Sequence, residues 1–105
     1  MIGVTERAKA ELKKILSATA DNPQVAFRLT AGGPDKFVLC IDVEASGDQV
    51  VEYGGSRVLL LEHKLAASLK EYTLTFEDKE FVIVKGPLSG FNKNVVTLDV
   101  RKNKQ

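Results

Sequence analysis

Cys40 and His63 are the only cysteine and histidine in the chain, and these two residue types most often act as nucleophiles, general bases or soft metal ligands. Cys40 lies in the apolar run of residues 37–41. A lone cysteine could be a nucleophile, a redox sensor or one ligand of a metal shared between subunits. Because free cysteine in an apolar strand is usually buried, we interpret Cys40 as a small buried hydrophobe.

His63 follows an apolar strand and opens a predicted short helix, next to Glu62. Adjacent residues of a helix point in different directions, so Glu62 and His63 share no face on which a base or a metal site could form. We therefore expect an exposed polar residue. One cysteine and one histidine also exclude an intrachain disulfide and a metal cage of soft ligands within one chain.

Three carboxylates, Glu77, Asp78 and Glu80, surround a predicted turn. Carboxylates bind hard cations such as calcium and magnesium, but their spacing here is not that of an EF-hand loop. Asp is favoured in turns because its side chain bonds to the local backbone. We interpret the group as the solvated tip of a hairpin.

The dipeptide Gly32-Gly33 and the basic end of the chain, with Arg101, Lys102 and Lys104, are the remaining candidates for binding phosphates. Neither the G-x-G-x-x-G nor the P-loop pattern is present, and a strand follows the glycines, so we predict a turn there. The basic end is short and lacks interleaved aromatic residues, which favours a solvated tail.

The composition excludes further classes of function. Lys and Arg number 15 and Asp and Glu 14, so the net charge of +1 argues against a nucleic-acid partner. No serine lies in a G-x-S-x-G elbow, and a single histidine leaves little room for a triad. No apolar run approaches the roughly 20 residues that span a bilayer, and no targeting signal is visible. We expect a soluble, cytoplasmic protein that is not an enzyme, with no membrane partner and no catalytic, cofactor-binding or metal-binding residue.

Residues 1–100 are expected to form a single domain, followed by a polar tail over residues 101–105. Thr5 is a good helix N-cap, and apolar residues recur at helical spacing until Asp21-Asn22-Pro23. From Gln24 the apolar period changes to two. Strands are predicted over residues 24–31, 37–43, 49–53, 56–61, 72–76, 81–84 and 95–100, a short helix over 62–70, hairpin turns at Gly54-Gly55 and Asp78-Lys79, and a loop over 88–94. The fold class is α+β, mostly β, with short mixed strands, one long N-terminal helix and one short helix.

Five segments carry a resemblance when they are taken in order. They are the opening MIGVTERA (residues 1–8), Phe27-Arg28-Leu29 with the glycine loop and the strand that follow it, VVEYGGSRV (residues 50–58), the short helix, and FVIVKGP (residues 81–87). In this order they resemble the HesB-like family, the A-type iron–sulfur cluster carriers. The resemblance spans residues 1–87 and implies the HesB-like fold, with a short strand before the capped helix. It also implies self-association, because members of the family are commonly dimers or tetramers.

The ligand positions of that family differ in this chain. The family binds its cluster through one cysteine in a Cys-Ser-Gly turn after the second strand and two in a Cys-Gly-Cys segment near the C-terminus. Here residues 32–36 read GGPDK and residues 95–100 read VVTLDV, and Cys40 lies several residues beyond the turn. Clusters select thiolates because these are soft, charged donors. The resemblance therefore predicts the fold without the cofactor.

Two hypotheses of function follow. The first is a relative of the carriers that lacks cluster ligands and acts as a partner-binding or regulatory protein, with a protein partner and as a homo-oligomer. The alternative is a small-ligand or hard-metal binding module. It would use a pocket between sheet and helix, or the carboxylates Glu77, Asp78 and Glu80.

Overall fold

Eight strands and two helices make up the described part of the chain. The computed structural model describes residues 2–19, 24–33, 36–85 and 93–99. In chain order the elements are β1 (Gly3–Val4), α1 (Glu6–Thr19), β2 (Val25–Gly33), β3 (Lys36–Val43), β4 (Gln49–Tyr53), β5 (Ser56–Leu61), α2 (His63–Ser68), β6 (Tyr72–Glu77), β7 (Glu80–Lys85) and β8 (Lys93–Asp99).

The strands form one mixed sheet in the order β1-β6-β7-β8-β3-β2-β5-β4. The pairs β1–β6, β8–β3 and β2–β5 are parallel, and the other four are antiparallel. Strand β8 joins the two halves of the sheet, since residues 93–95 pair with β7 and residues 96–99 pair with β3. This mostly-strand sheet with two helices agrees with the α+β class expected from the sequence.

The sheet curls around α1. The helix contacts β2, β4 and β5 towards one edge of the sheet and β6 near the other. The two edge strands also approach each other, because the Ile2 backbone N–H donates a hydrogen bond of 3.4 Å to Oε1 of Gln49. The concave face therefore encloses most of the core, whose largest fully buried side chains include Phe27, Leu12, Leu29, Leu39, Leu59, Leu61, Leu74 and Ile83.

Helix α1 forms as its sequence predicts. The Thr5 hydroxyl accepts a hydrogen bond of 3.2 Å from the Ala8 backbone N–H, which satisfies one of the unpaired donors of the first turn. Ala8, Leu12 and Leu16 are buried at a spacing of four residues, so one face of the helix meets the sheet. The helix ends at Thr19 in the described range, and the predicted stop at residues 21–23 lies outside the described residues.

Both predicted two-residue hairpin turns are confirmed. Gly54 and Gly55 have φ angles of 60° and 81°, and Asp78 and Lys79 have φ angles of 51° and 65°. Two successive residues with positive φ are typical of the type I′ turn, whose twist matches that of the flanking strands. Glycine adopts these angles without strain, whereas Asp78 and Lys79 adopt them at some cost in energy.

The turn predicted at Gly32-Gly33 is wrong, because both residues belong to β2. The antiparallel pairing with β3 continues to Gly33 opposite Lys36, with a register shift between Ala31 and Gly33. A Cβ atom at Gly32 would lie 3.3 Å from Cγ2 of Val38, so the glycine admits a close approach of the neighbouring strand. The glycines therefore extend the strand through an irregularity instead of ending it.

Smaller differences concern the ends of other elements. Strand β1 is present, as the resemblance implied. Strand β8 begins at Lys93, two residues inside the segment predicted as a loop. Helix α2 spans only His63–Ser68, since Leu69 already has a φ of −107° and ends the helix. No helix among the described residues is long and apolar enough to cross a membrane.

Candidate functional site

Arg28 is the centre of a charged cluster on the convex face of the sheet. Its neighbours in β2, Phe27 and Leu29, point into the core, so the alternation of the strand directs Arg28 to the opposite face. Arg28 Nε donates to Asp42 Oδ2 at 2.7 Å. Nη1 and Nη2 donate to the two carboxylate oxygens of Asp48 at 3.1 Å and 2.7 Å. The guanidinium therefore binds one aspartate in bidentate fashion and a second through Nε.

The Arg28–Asp48 pair is shielded from water. The side chains of Arg28 and Asp48 are 13% and 3% exposed, whereas Asp42 is 46% exposed. The hydrogen bonds from Arg28 hold the pKa of Asp48 below its usual range, although burial acts in the opposite direction. Hydrogen bonding to Asp48 likewise raises the pKa of Arg28. Both groups are therefore charged throughout the neutral range.

Asp48 also fixes the loop between β3 and β4. Its Oδ2 atom accepts a hydrogen bond of 2.7 Å from the Ala45 backbone N–H, and the Asp48 N–H donates back to the Ala45 carbonyl at 3.2 Å. Gly47 has a φ of 86°, which glycine adopts most readily. Arg28 Nη2 adds a hydrogen bond of 3.1 Å to the Val43 carbonyl. The loop is thus held against the sheet before any ligand is present.

A groove of about 600 Å³ opens beside this loop. A second ion pair lies on its wall, in which Arg57 Nε of β5 donates to Glu44 Oε1 at 2.8 Å. These two side chains are 40% and 41% exposed. The residues that line the groove are Gln24, Val43, Glu44, Ala45, Ser46 and Arg57. It combines an apolar floor at Val43 with an accessible pair of opposite charges.

A second groove, of about 470 Å³, lies between the start of β4 and α2. His63 lines it and is exposed, as predicted for a polar residue at a helix start. The neighbouring Glu62 is exposed as well. Gln49 lines the same groove, and its Nε2 atom is buried with no hydrogen-bond partner. Because this nitrogen is inaccessible from the groove, it offers no contact to a ligand there.

Cys40 differs from its predicted burial, because the residue is only half-buried. Leu39, its neighbour in β3, points into the core, so Cys40 lies on the convex face, opposite Arg28 in the antiparallel register. Its Sγ atom donates a weak hydrogen bond of 3.8 Å to the Arg28 carbonyl. The thiol therefore lies beside the charged cluster and not in the apolar core.

The carboxylates Glu77, Asp78 and Glu80 lie at the β6–β7 hairpin, where Glu77 pairs with Glu80 and Asp78 is exposed in the turn. In the described ranges no group of three or more His, Cys, Asp or Glu side chains is placed to hold a metal ion. The basic residues Arg101, Lys102 and Lys104 lie outside the described residues.

No protein-family model and no curated protein matches this chain. Among solved structures, the crystal structure of Escherichia coli SufA, a protein involved in biosynthesis of iron–sulfur clusters, is similar, with a TM-score of 0.50. The chain has a HesB-like fold. The likeness covers 78% of this chain and 75% of SufA at 14% sequence identity, a level that bears on the fold alone.

Proposed function

We propose that this chain is a non-catalytic HesB-like domain, related to the iron–sulfur cluster carriers, that binds or regulates a protein partner and holds no cluster of its own. The similarity to SufA in fold supports the relationship. The absence of a cluster is inferred from the number and position of the thiols. The chain has one cysteine, and that cysteine lies in the middle of β3.

The donor set does not fit an iron–sulfur cluster. Clusters are held by several cysteine thiolates, in most cases four. The C-terminal strand β8 has the sequence KNVVTLD and contains no thiol. Cys40 is half-buried and already donates to the Arg28 carbonyl. A single chain therefore offers one thiolate where a cluster requires several, and we derive no chemistry through a cluster.

The first experiment tests cluster binding. The purified protein is incubated anaerobically with ferrous iron and sulfide and then desalted, with a cluster-binding A-type carrier treated in parallel. We expect this protein to stay colourless, because it lacks the required donors. Stable visible absorption that Cys40→Ala abolishes would overturn the proposal, since it would show a cluster held by Cys40 of several copies.

The second experiment tests the partner. The protein is used as bait in a lysate, captured proteins are identified by mass spectrometry, and each candidate is expressed and mixed with the bait for analytical ultracentrifugation. We expect a complex of defined stoichiometry with one protein. Sedimentation of the bait alone tests the expected homo-oligomer. Failure to reconstitute a complex with any captured protein contradicts a partner-binding role.

The alternative function, a small-ligand or hard-metal binding module, draws its support from the groove beside the β3–β4 loop. A thermal-shift screen with calcium, magnesium and small metabolites separates the two functions, because a ligand that binds only the folded protein raises the melting temperature. Stabilisation by calcium or magnesium would favour a metal module. Stabilisation by a metabolite would favour a small-ligand module, and its class is argued below.

A further inference from the structure

We propose that the groove beside the β3–β4 loop binds a small zwitterion, namely a free α-amino acid with an aliphatic side chain. The proposal rests on the Glu44–Arg57 ion pair, on the exposed apolar floor at Val43, and on the fixed loop that forms one wall. It is independent of the partner-binding or regulatory role proposed above and gives the ligand class of the alternative, a small-ligand module.

Arg57 has unused hydrogen-bonding capacity on the wall of the groove. A guanidinium carries five N–H donors, and in the described part of the chain only Nε of Arg57 has a partner, Glu44 Oε1. The side chain is 40% exposed, so the Nη groups are accessible to a ligand. Two parallel N–H groups of an arginine match the two oxygens of a carboxylate, which gives a bidentate contact.

Glu44 offers the opposite charge at the same place. Its Oε1 atom accepts from Arg57, and Oε2 has no partner among the residues that the structure describes. The side chain is 41% exposed, so Oε2 can accept hydrogen bonds from a ligand ammonium group. The pair thus presents a cation and an anion side by side, each with an open position.

The charge pattern selects among ligand classes. A simple anion would gain the attraction of Arg57 but would be repelled by Glu44, and a simple cation would meet the reverse. A zwitterion whose carboxylate faces Arg57 and whose ammonium faces Glu44 gains both attractions. An α-amino acid carries its ammonium and carboxylate groups on the same carbon atom, so the two charges lie close together, as the two side chains of the pair do.

The apolar floor of the groove indicates that the ligand also has an aliphatic side chain. Val43 is 50% exposed, one of the most exposed large apolar residues in the described part of the chain. Covering this apolar surface is favourable because it removes the surface from contact with water. An aliphatic side chain beside the zwitterionic head would cover Val43 and Ala45, and the groove volume of about 600 Å³ leaves ample room for it.

The wall is organised before binding. Asp48 bonds to both Arg28 and the Ala45 backbone N–H, and Arg28 also bonds to the Val43 carbonyl. The loop that carries Glu44 and Ser46 is therefore already fixed on both sides. Less ordering is required when the ligand binds, which improves the affinity that a few contacts can reach.

The test compares three ligands by ¹H–¹⁵N NMR titration of the full chain. L-Leucine carries both charges, whereas isopentylamine and 4-methylpentanoate keep the aliphatic part with the ammonium or the carboxylate alone. We expect L-leucine to shift the amide signals of residues 43–46 and 57, and to bind at least tenfold more tightly than either analogue. Equal affinity for all three ligands, or no shift with L-leucine, would overturn the proposal.

Two variants test the roles of the charges. Arg57→Gln should weaken L-leucine binding at least tenfold. Glu44→Gln should weaken L-leucine binding and strengthen 4-methylpentanoate binding, because it removes the repulsion of the carboxylate. Arg7→Gln, on the exposed side of α1, is the matched control and should leave every affinity unchanged. Both groove residues are substantially exposed, so the variants should keep the spectrum of a folded protein. If neither groove variant changes the affinity for L-leucine, the ligand does not bind at this pair.

Discussion

Replacing Arg28 by methionine should destabilise the protein more than any ordinary surface substitution. Methionine fills much of the same space and removes the charge together with the hydrogen bonds to Asp42, Asp48 and the Val43 carbonyl. The carboxylate of Asp48 is then left 3% exposed with no cation beside it. An uncompensated buried charge is among the few defects that cost several kcal/mol.

The expected loss in the free energy of unfolding follows from how far Asp48 and Asp42, the two partners of Arg28, are buried. Removing one member of a buried ion pair costs about 3–5 kcal/mol. Asp48 keeps the hydrogen bond from the Ala45 N–H, and Asp42 is exposed enough to be solvated, so we place the loss near the lower end. The expected decrease in the free energy of unfolding is about 3 kcal/mol at pH 7, out of the ~5–15 kcal/mol typical of a domain.

The stabilisation by the Arg28–Asp48 pair should depend on pH in a definite direction. Arg28 lowers the pKa of Asp48 in the folded protein, so the pair stabilises the fold above the unfolded pKa of about 4, and this contribution is lost as the pH falls through the lowered folded pKa. In the variant, burial without a cation disfavours the carboxylate. The difference in stability between the two proteins should therefore be largest at neutral pH and decrease as the pH falls, because the buried carboxylate is protonated at a higher pH in the folded variant than in the folded parent.

Urea unfolding followed by far-UV circular dichroism at pH 7 and pH 3 measures both effects. The exposed residue Arg7 provides the control, since Arg7→Met should change stability by no more than about 0.5 kcal/mol. The double variant Arg28→Met with Asp48→Asn should recover part of the loss, because no unpaired buried charge remains. A loss below about 1 kcal/mol, as for a surface pair, or a loss equal at both pH values, would refute the reasoning.

Three further predictions concern the fold and are checked by the same urea titration. Leu12→Ala should cost about 2–5 kcal/mol because Leu12 is fully buried between α1 and the sheet, whereas Lys14→Ala on the exposed face should cost little. Thr5→Val should cost about 1 kcal/mol because it removes the bond to the Ala8 N–H, and Thr75→Val, which removes only the hydroxyl contact with Thr5, should cost less. Gly55→Ala should cost about 1–2 kcal/mol through its positive φ alone, since nothing lies within 4 Å of the added methyl group; a neutral effect would show that the turn changes its conformation.

The elements that local patterns specify were predictable from the sequence. Helix α1 buries residues four positions apart and has a capping residue at its start, so the helical period and the start of the helix are both visible within residues 5–16. The Gly54-Gly55 turn is equally local, because two adjacent glycines between alternating strands satisfy the positive φ angles of a tight hairpin. Nothing distant is needed to explain either feature.

Features that depend on strand register were not predictable in this way. By itself, the dipeptide Gly32-Gly33 is typical of a turn. Only the pairing of β2 with β3 shows that the strand continues, because Gly33 still pairs with Lys36. The Arg28 cluster was missed for the same reason. Arg28 is an ordinary polar residue of a half-buried strand, and only the antiparallel register and the folded loop bring Asp42 and Asp48 to it.

Predicting the groove would have required the registers of two strand pairs, β2 with β3 and β2 with β5. Glu44, in the β3–β4 loop, and Arg57, in β5, lie thirteen residues apart, and each alone is an ordinary, partly exposed charge. They meet because β5 is parallel to β2 while β3 is antiparallel to it, which brings the start of β5 to the end of β3. Sequence reasoning had no local signal for this pair, although an arginine and a glutamate flanking predicted strand ends could have been tested as partners.

The apolar core accounts for the stability of this fold without invoking any bound metal. Many small metal-binding domains fold only with their metal, because the binding free energy is part of the folding free energy. Here every residue that is buried as a whole in the described part of the chain is apolar, from Leu12 of the helix to Phe27 and Leu39 of the sheet, whereas Asp48 buries its side chain and exposes part of its backbone. These contacts stabilise the curled sheet with no contribution from thiolates. Such a core keeps the scaffold folded whether or not the turns and strand ends carry cluster ligands, as the proposed function requires.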